Sequence, residues 1–444
     1  MKDSHLGKRV RSGAPETEKF DMNREPIKQQ MYLMPIVWGY SYLRKILHRG
    51  KLTKVRMEGV KPPYILLCNH NSFFDFYIMS AALCPQRGFF PAAVDDFIGR
   101  EWVLRRLGTI PKRKYTADIG LIRTSRKVLK NGGIFGLYVE ARYSLCGLTE
   151  VIPDSVGQLV KRAGVPVVTL KTCGHHIYNP FWNIASKRLM FPVEAYMTQI
   201  YTPEELENAS VDEINEKIRE YLYNDDFRWQ SENRKKLKYK KRAEGLHNIL
   251  YKCPACGCEY ETDSKGAKVF CKNCGKSWTL NYYGELEADS GETEFKFPTD
   301  WYKWEREEVR KEIDAGKYHF ECDVDVNDLP NSKGFVHLGH GRLIHDMNGF
   351  DVKGIREYDG EPFEMKIPAR GQYACHVEFK YRYGNYRDCI DLNTLEDTWY
   401  VFPENCKFSC TKVSLATEEI FKKLHEEKDN TTEGKDEKQT VPSV

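Results

Sequence analysis

The sequence predicts an α/β domain built on a mostly parallel sheet with flanking helices. A small four-cysteine module follows, and then a mainly antiparallel β domain with a C-terminal helix. Three observations lead there. Between residues 60 and about 200, short apolar runs alternate with helix-length segments, the pattern of strands joined by crossover helices. Two Cys-x-x-Cys pairs lie near the middle of the chain, with fourteen residues between Cys256 and Cys271. Past residue 300 the apolar period becomes two, clearest in Val377-Glu378-Phe379-Lys380-Tyr381-Arg382-Tyr383. The 444 residues are enough for about three domains. Lys+Arg 68 against Asp+Glu 64 leaves +4, too even a balance for a nucleic-acid packager or an acidic solvating chain.

Residues 1–28 are polar and aperiodic, and a disordered arm is expected there. The α/β domain is assigned to 29–245. It opens with an apolar segment, 31–43, broken by Pro35, Gly39 and Ser41 and followed by Arg44, Lys45, His48, Arg49, Lys51, Lys54 and Arg56. The segment is shorter than the ~20 residues that span a bilayer. It suits the headgroup region of an anionic membrane, or packing on the domain's own core. Strands are expected at 64–68, 88–94, 134–139 and 165–170, and helices at 73–83, 97–107, 115–130, 155–163 and 203–223. A run of cations then appears: Arg234, Lys235, Lys236, Lys238, Lys240, Lys241 and Arg242, seven in nine positions. A solvated linker and a patch for anionic lipid or nucleic acid both account for it.

Cys253-Pro-Ala-Cys256 and Cys271-Lys-Asn-Cys274, each followed by a glycine, have the spacing of a zinc ribbon, assigned to 246–290. Four thiolates leave no open position, so the expected zinc is structural; Cys258 is a spare thiol that could compete as a ligand. The β-rich domain, 291–426, begins with a helix at 301–313, carries a hairpin signal at Asn348-Gly349, and ends in a helix at 415–424 after Ser414 as N-cap. A sheet ending in a helix resembles a pleckstrin-type domain in layout, and its role is left unassigned. Residues 427–444 are expected to be a disordered tail. No apolar signal segment opens the sequence, and the 14 cysteines then suit a reducing compartment. The expected location is cytoplasmic, peripheral on the inner face of the membrane.

The chemistry lies in the α/β domain. Asn69-His70-Asn71-Ser72-Phe73-Phe74-Asp75 follows a buried strand, and the carboxyl ends of parallel strands are where ligands bind. Asp75, five residues on, can reach one imidazole nitrogen of His70 and leave the other free as a base. A capping Asp beside a structural His accounts equally for the spacing. From Arg105 to Lys130 there are nine Lys/Arg and one acid, Asp118, with Lys112, Arg113 and Lys114 together. Such a cluster holds a phosphate or is a solvated basic face. Glu140 and Arg142 end another strand.

These residues resemble the glycerolipid acyltransferase family, the PlsC type that acylates 1-acylglycerol-3-phosphate. Asn69-His70-x-Ser72-x-x-Asp75 is similar to its NHxSxxD block. Gly108 to Arg113 is similar to the second block, Glu140 and Ser144 to the third, and Val165-Pro166-Val167-Val168 to the fourth. In the third block Val139 replaces proline, Ala141 replaces glycine, and the arginine sits one place early at Arg142; Thr169 stands where the fourth has proline. The resemblance implies His70 as general base, Asp75 as its orienting partner, and an acceptor-phosphate site shaped by Lys112, Arg113, Glu140 and Arg142. Backbone amides after His70 are candidates for the oxyanion. It implies acyl-CoA or acyl-carrier protein as donor, a lysophospholipid acceptor, a membrane surface as partner, and phosphatidate as product. Another lysolipid or glycerol-3-phosphate as acceptor, or a non-catalytic lipid- or nucleic-acid-binding adaptor, are the alternatives. No nucleic acid is expected as a partner of the enzyme.

Overall fold

A computed structural model describes residues 10–11, 18–116, 118–183, 191–381 and 385–436. Two compact units result: one of Glu16–Tyr302 with Leu329–Gly334, the other of Lys303–Asp328, the chain from Phe335 onward and the start of the chain. The expectations for 1–9, 12–17 and 437–444 lie outside the described residues, as do Arg382 and Tyr383.

The arm expected to be disordered contributes structure. Val10–Arg11 forms a short strand, β1, paired in parallel with Phe335 and Val336. Phe20 is buried, its ring 5.3 Å from that of Phe97 and under the Arg105 guanidinium. An aromatic inside a polar stretch supplied the contact that period analysis passes over.

The first unit begins with α1 (Met34–Leu47) and β2 (Lys51–Val55), then β3 (Tyr64–Cys68), α2 (Asp75–Leu83), β4 (Gly88–Ala93), α3 (Glu101–Arg106) and β5 (Thr109–Lys112). It continues with α4 (Ile119–Lys130), β6 (Ile134–Tyr138), α5 (Ser155–Ala163), β7 (Val167–Cys173), α6 (His175–Tyr178) and β8 (Glu194–Tyr201). The sheet runs β2-β8-β7-β3-β6-β4-β5, and every pair except β7–β8 is parallel. β3, Tyr-Ile-Leu-Leu-Cys, is buried along its whole length at the centre of the sheet. One core cluster joins Ile65, Leu67 and Phe135 of the sheet to Val128, Val156, Val160, Ile214 and Ile218 of the helices. The helix expected over 203–223 is two, α7 (Pro203–Asn208) and α8 (Val211–Leu222), because Thr202 and Ser210 each build a capping box, with Glu205 and Glu213. A second N-cap inside a periodic stretch restarts the helix.

After α9 (Asp226–Glu232) comes a four-stranded antiparallel sheet, β12-β11-β10-β9, of β9 (Thr262–Lys265), β10 (Lys268–Cys271), β11 (Ser277–Leu280) and β12 (Leu286–Ala288). Trp278 packs edge-on to Trp301 at the start of α10 (Pro298–Asp314), whose indole N–H donates to the Lys252 carbonyl.

The second unit is built from β13 (Phe320–Asn331), β14 (Gly334–Asp346), β15 (Gly349–Ile355), β16 (Pro362–Pro368), β17 (His376–Tyr381), β18 (Arg387–Asn393), β19 (Thr398–Glu404) and α11 (Cys410–Asp436). Its sheet order is β16-β15-β14-β13-β19-β18-β17. The hairpin expected at Asn348-Gly349 turns on Met347-Asn348, with Asp346 paired to Gly349. α11 starts before Ser414, at Cys410, and runs past 426.

Candidate active site

Parallel strands bring their carboxyl ends to one edge, and β3, β6 and β7 are neighbours there. The loops after these three strands hold the site. Asn69 bridges two of them: its side-chain amide donates to the Thr172 carbonyl, and its oxygen accepts the Thr172 N–H at 2.8 Å. Asn71 also donates to the Thr172 carbonyl. The segment between them carries His70 and so has a fixed path.

Asp75, at the first turn of α2, is buried and uses both oxygens. Oδ2 accepts the Asn71 N–H at 2.7 Å, the Ser72 N–H at 3.0 Å and lies 3.0 Å from His70 Nδ1. Oδ1 lies 2.5 Å from Nδ1 of His175, the first residue of α6. Burial pushes the carboxyl up, but the bonds from His175 and His70 outweigh it and hold the group at about 2. It is therefore an anion that keeps both histidines in the Nδ1–H tautomer. Asp75 does not cap α2, whose N-terminus has no side-chain cap bond; its oxygens serve the loop before the helix and the two imidazoles.

His70 stays reachable. Its side chain is 17% exposed, and its ring lies between Tyr138 (4.0 Å, 21°) and Tyr143 (4.0 Å, 40°). Its Nε2 has no partner among the described residues. The amides of Asn71 and Ser72 are committed to Asp75, which removes both from the oxyanion donors expected after His70.

The other expected residues are placed as follows. Glu140 is buried and accepts two backbone N–H groups, from His70 at 2.8 Å and Glu150 at 2.7 Å. Burial raises its carboxyl to about 8, against the pull of those two donors. Arg142 is buried and paired with Glu150 at 2.8 Å. Both build the 139–150 loop, and Glu140 holds the backbone of His70. Lys112 ends β5 and Arg113 follows it, three strands from β3, about 14 Å along the sheet. The Lys112 ammonium donates to the Thr116 carbonyl at 2.7 Å, and burial lowers its pKa to about 8; Arg113 is buried. Lys114 faces Asp95. The Tyr115 hydroxyl reaches the Glu140 carbonyl at 3.5 Å, tying this loop back to the site.

His175 escaped the sequence reading. Gly174 precedes it at φ +78°, where a Cβ would stand 2.6 Å from the Trp229 ring, and Asp226 accepts the Gly174 and His176 N–H groups. That turn aims the ring at Asp75. A His-His pair after a glycine at a strand end was the available signal.

Residues 41–172 match the family model Acyltransferase. This stretch is similar to acyltransferase domains. The match runs from α1 to the end of β7, takes in His70, Asp75, Glu140 and Arg142, and stops before His175. By structure the chain is similar to the 1-acyl-sn-glycerophosphate (LPA) acyltransferase PlsC from Thermotoga maritima, with 18% identity and a TM-score of 0.35 over 43% of this chain and 77% of that one. No curated protein matches. Among the described residues no helix is long and apolar enough to cross a membrane.

Beyond the matched stretch, the sulfurs of Cys253, Cys256, Cys271 and Cys274 lie within 4.8 Å of one another, a cluster able to hold a metal ion. Cys253 to Cys274 and Cys256 to Cys271 are each 3.8 Å. Thiolates ~2.3 Å from a tetrahedral zinc stand about 3.8 Å apart, so the cage has the right size. Gly257 and Gly275 take φ +73° and +75° and return their N–H groups to the Cys253 and Cys271 carbonyls. Cys258 is outside the cluster.

Proposed function

We propose that the protein transfers an acyl group from acyl-CoA or acyl-carrier protein to the free hydroxyl of 1-acylglycerol-3-phosphate, giving phosphatidate. The observation that carries this is a buried carboxylate fixing Nδ1 of His70 while Nε2 faces outward at the carboxyl edge of the sheet. The neutral imidazole accepts the hydroxyl proton at Nε2 as the acceptor oxygen attacks the thioester carbonyl. The new C–O ester bond forms, the C–S bond breaks, and the thiolate leaves with the proton returned by His70. Asp75 stabilises the imidazolium between these steps, and His175 holds Asp75 from behind as a positioning residue. No acyl-enzyme is needed, in keeping with the absence of a Ser or Cys nucleophile on His70 Nε2 among the described residues.

Lys112 and Arg113 are assigned to the acceptor's phosphate, and Glu140 and Arg142 to shaping the loop that presents His70. The four cysteines are assigned a structural zinc, and α1 a membrane surface, since of its fourteen residues only Met34 and Ser41 are buried while Ile36 and Ile46 stand more than 70% exposed. The altered third block favours testing the acceptor broadly.

The experiment is transfer from long-chain acyl-CoA and acyl-carrier protein to lysophosphatidate in mixed micelles, read by mass spectrometry, wild type beside His70→Ala. Phosphatidate from wild type alone supports base, reaction and acceptor together. No phosphatidate from a folded, metal-loaded wild type refutes the acceptor, and a panel of other lysolipids and glycerol-3-phosphate then decides whether the reaction stands.

A further inference from the structure

The cationic run after α9 is not a loose linker. The Leu237 N–H donates to the Tyr282 carbonyl at 2.8 Å and its side chain is buried. The Gln230 amide spans the Lys235 and Tyr282 carbonyls. The buried Arg242 guanidinium donates to the Leu280 and Asn281 carbonyls, and the Ala243 N–H to that of Gly266. Tyr282 and Tyr283, which follow β11, carry Lys236 (5.1 Å), Arg242 (4.5 Å) and Arg234 (3.9 Å) over their rings. The four-cysteine module thus acts as a mould that fixes the loop's path.

What it fixes is unneutralised charge. Lys235 pairs with Glu194 at 2.9 Å and Lys241 with Glu244 at 3.3 Å. Arg234, Lys236, Lys238 and Lys240 are exposed, and among the described residues none has a carboxylate in ion-pair reach. Holding four like charges on one ordered loop opposes folding unless an anion meets them. Their surroundings point to which one. Glu194 is the register partner of Lys51, the first residue of β2, which follows α1 after a short turn. The loop therefore borders Lys51 and the turn before it with Arg49, both exposed, and that turn leads back to the apolar outer face of α1 with Ile36, Leu43, Ile46 and Leu47. Cations bordering an exposed apolar helix match a bilayer with anionic headgroups. A nucleic acid would leave the apolar face bare.

We propose that the cysteine module exists to present the loop 234–241 to an anionic bilayer, as a second contact beside α1. The choice of a bilayer rests on the acyltransferase reading, whose product is itself an anionic lipid.

The test is vesicle flotation of the zinc-loaded full chain with phosphatidylcholine alone and with phosphatidylserine added. Wild type is expected to float with the anionic vesicles and to be released by salt. Arg234→Gln/Lys236→Gln/Lys238→Gln/Lys240→Gln is expected to lose about a thousandfold in partition, with metal content, melting temperature and turnover of a soluble short-chain lysolipid unchanged. Lys238→Gln/Lys240→Gln, which disturbs no ring contact, repeats the test should the fourfold variant misfold, and Lys353→Gln/Lys366→Gln is the control for charge alone. Flotation of the loop variants equal to wild type overturns the proposal, as does loop-dependent capture of RNA or acyl-carrier protein in preference to vesicles. Flotation needs no turnover: an inactive protein that floats through the loop upholds this proposal and removes the enzymatic one, and an active protein that ignores the loop does the reverse.

Discussion

His70 in the first unit and His345 in the second are both packed against aromatic rings and both hold a hydrogen bond at Nδ1. His345 stacks on Phe350 at 3.9 Å, its Nδ1 lies 2.9 Å from the Tyr318 hydroxyl, and its Nε2 is 3.4 Å from the Thr417 hydroxyl. Burial alone drives its pKa down to about 3, with no carboxylate to oppose it. His70 has an anion on one nitrogen and solvent on the other. A histidine serves as a base when the positive charge it acquires has a partner and its free nitrogen has access. His345 has neither, and is core.

The comparison breaks most sharply at His70 itself. His70→Ala is expected to lower kcat/KM by about 10²–10⁴ with the melting temperature unchanged. His345→Phe is expected to do the opposite: activity per folded molecule is kept, and the second unit loses about 1–3 kcal/mol in denaturant unfolding, because the Tyr318 hydroxyl loses its bond to the ring.

Smaller effects separate His175 from a merely structural residue. Its N–H holds one oxygen of Asp75 and so keeps the carboxylate aimed at His70. His175→Phe is expected to lower kcat more than it raises KM, and His175→Asn, which restores an N–H donor, is expected to return it. The same loss acts on stability. Asp75 sits at about 2, below its ordinary value, so its contribution is present above the ordinary carboxylate range and fades as pH falls toward 2. Without His175 that fading begins at higher pH, which thermal melts across acidic pH will show.

The smallest effect is at Glu140. Its pKa is raised, to about 8, so its contribution is full below the ordinary carboxylate range and is lost as pH rises to about 8. Glu140→Gln is expected to flatten the wild-type decline in melting temperature over that interval.

Local spacing was enough to read His70 with Asp75, five residues apart at a strand end, and the two cysteine knuckles, each closed by a glycine. It was not enough for His175, which meets Asp75 across one hundred residues of chain. Period analysis also failed at Phe20, a lone aromatic, and at Ser210, where a cap divides a continuous apolar rhythm. The cations near β5 read as a phosphate cluster or a solvated basic face, and spacing could not show that Lys112 bonds Thr116, that Arg113 is buried or that Lys114 faces Asp95.

By itself the sequence determined the alternation of strand and helix, the pairing of His70 with Asp75, and the two cysteine knuckles, because each depends on residues within a few positions of one another. Only the tertiary structure decided that Asp75 serves two histidines, that Glu140 and Arg142 face inward, and that a basic run is a moulded surface. Those depend on which strand ends the parallel sheet places side by side, and on which charges find partners once the chain is closed.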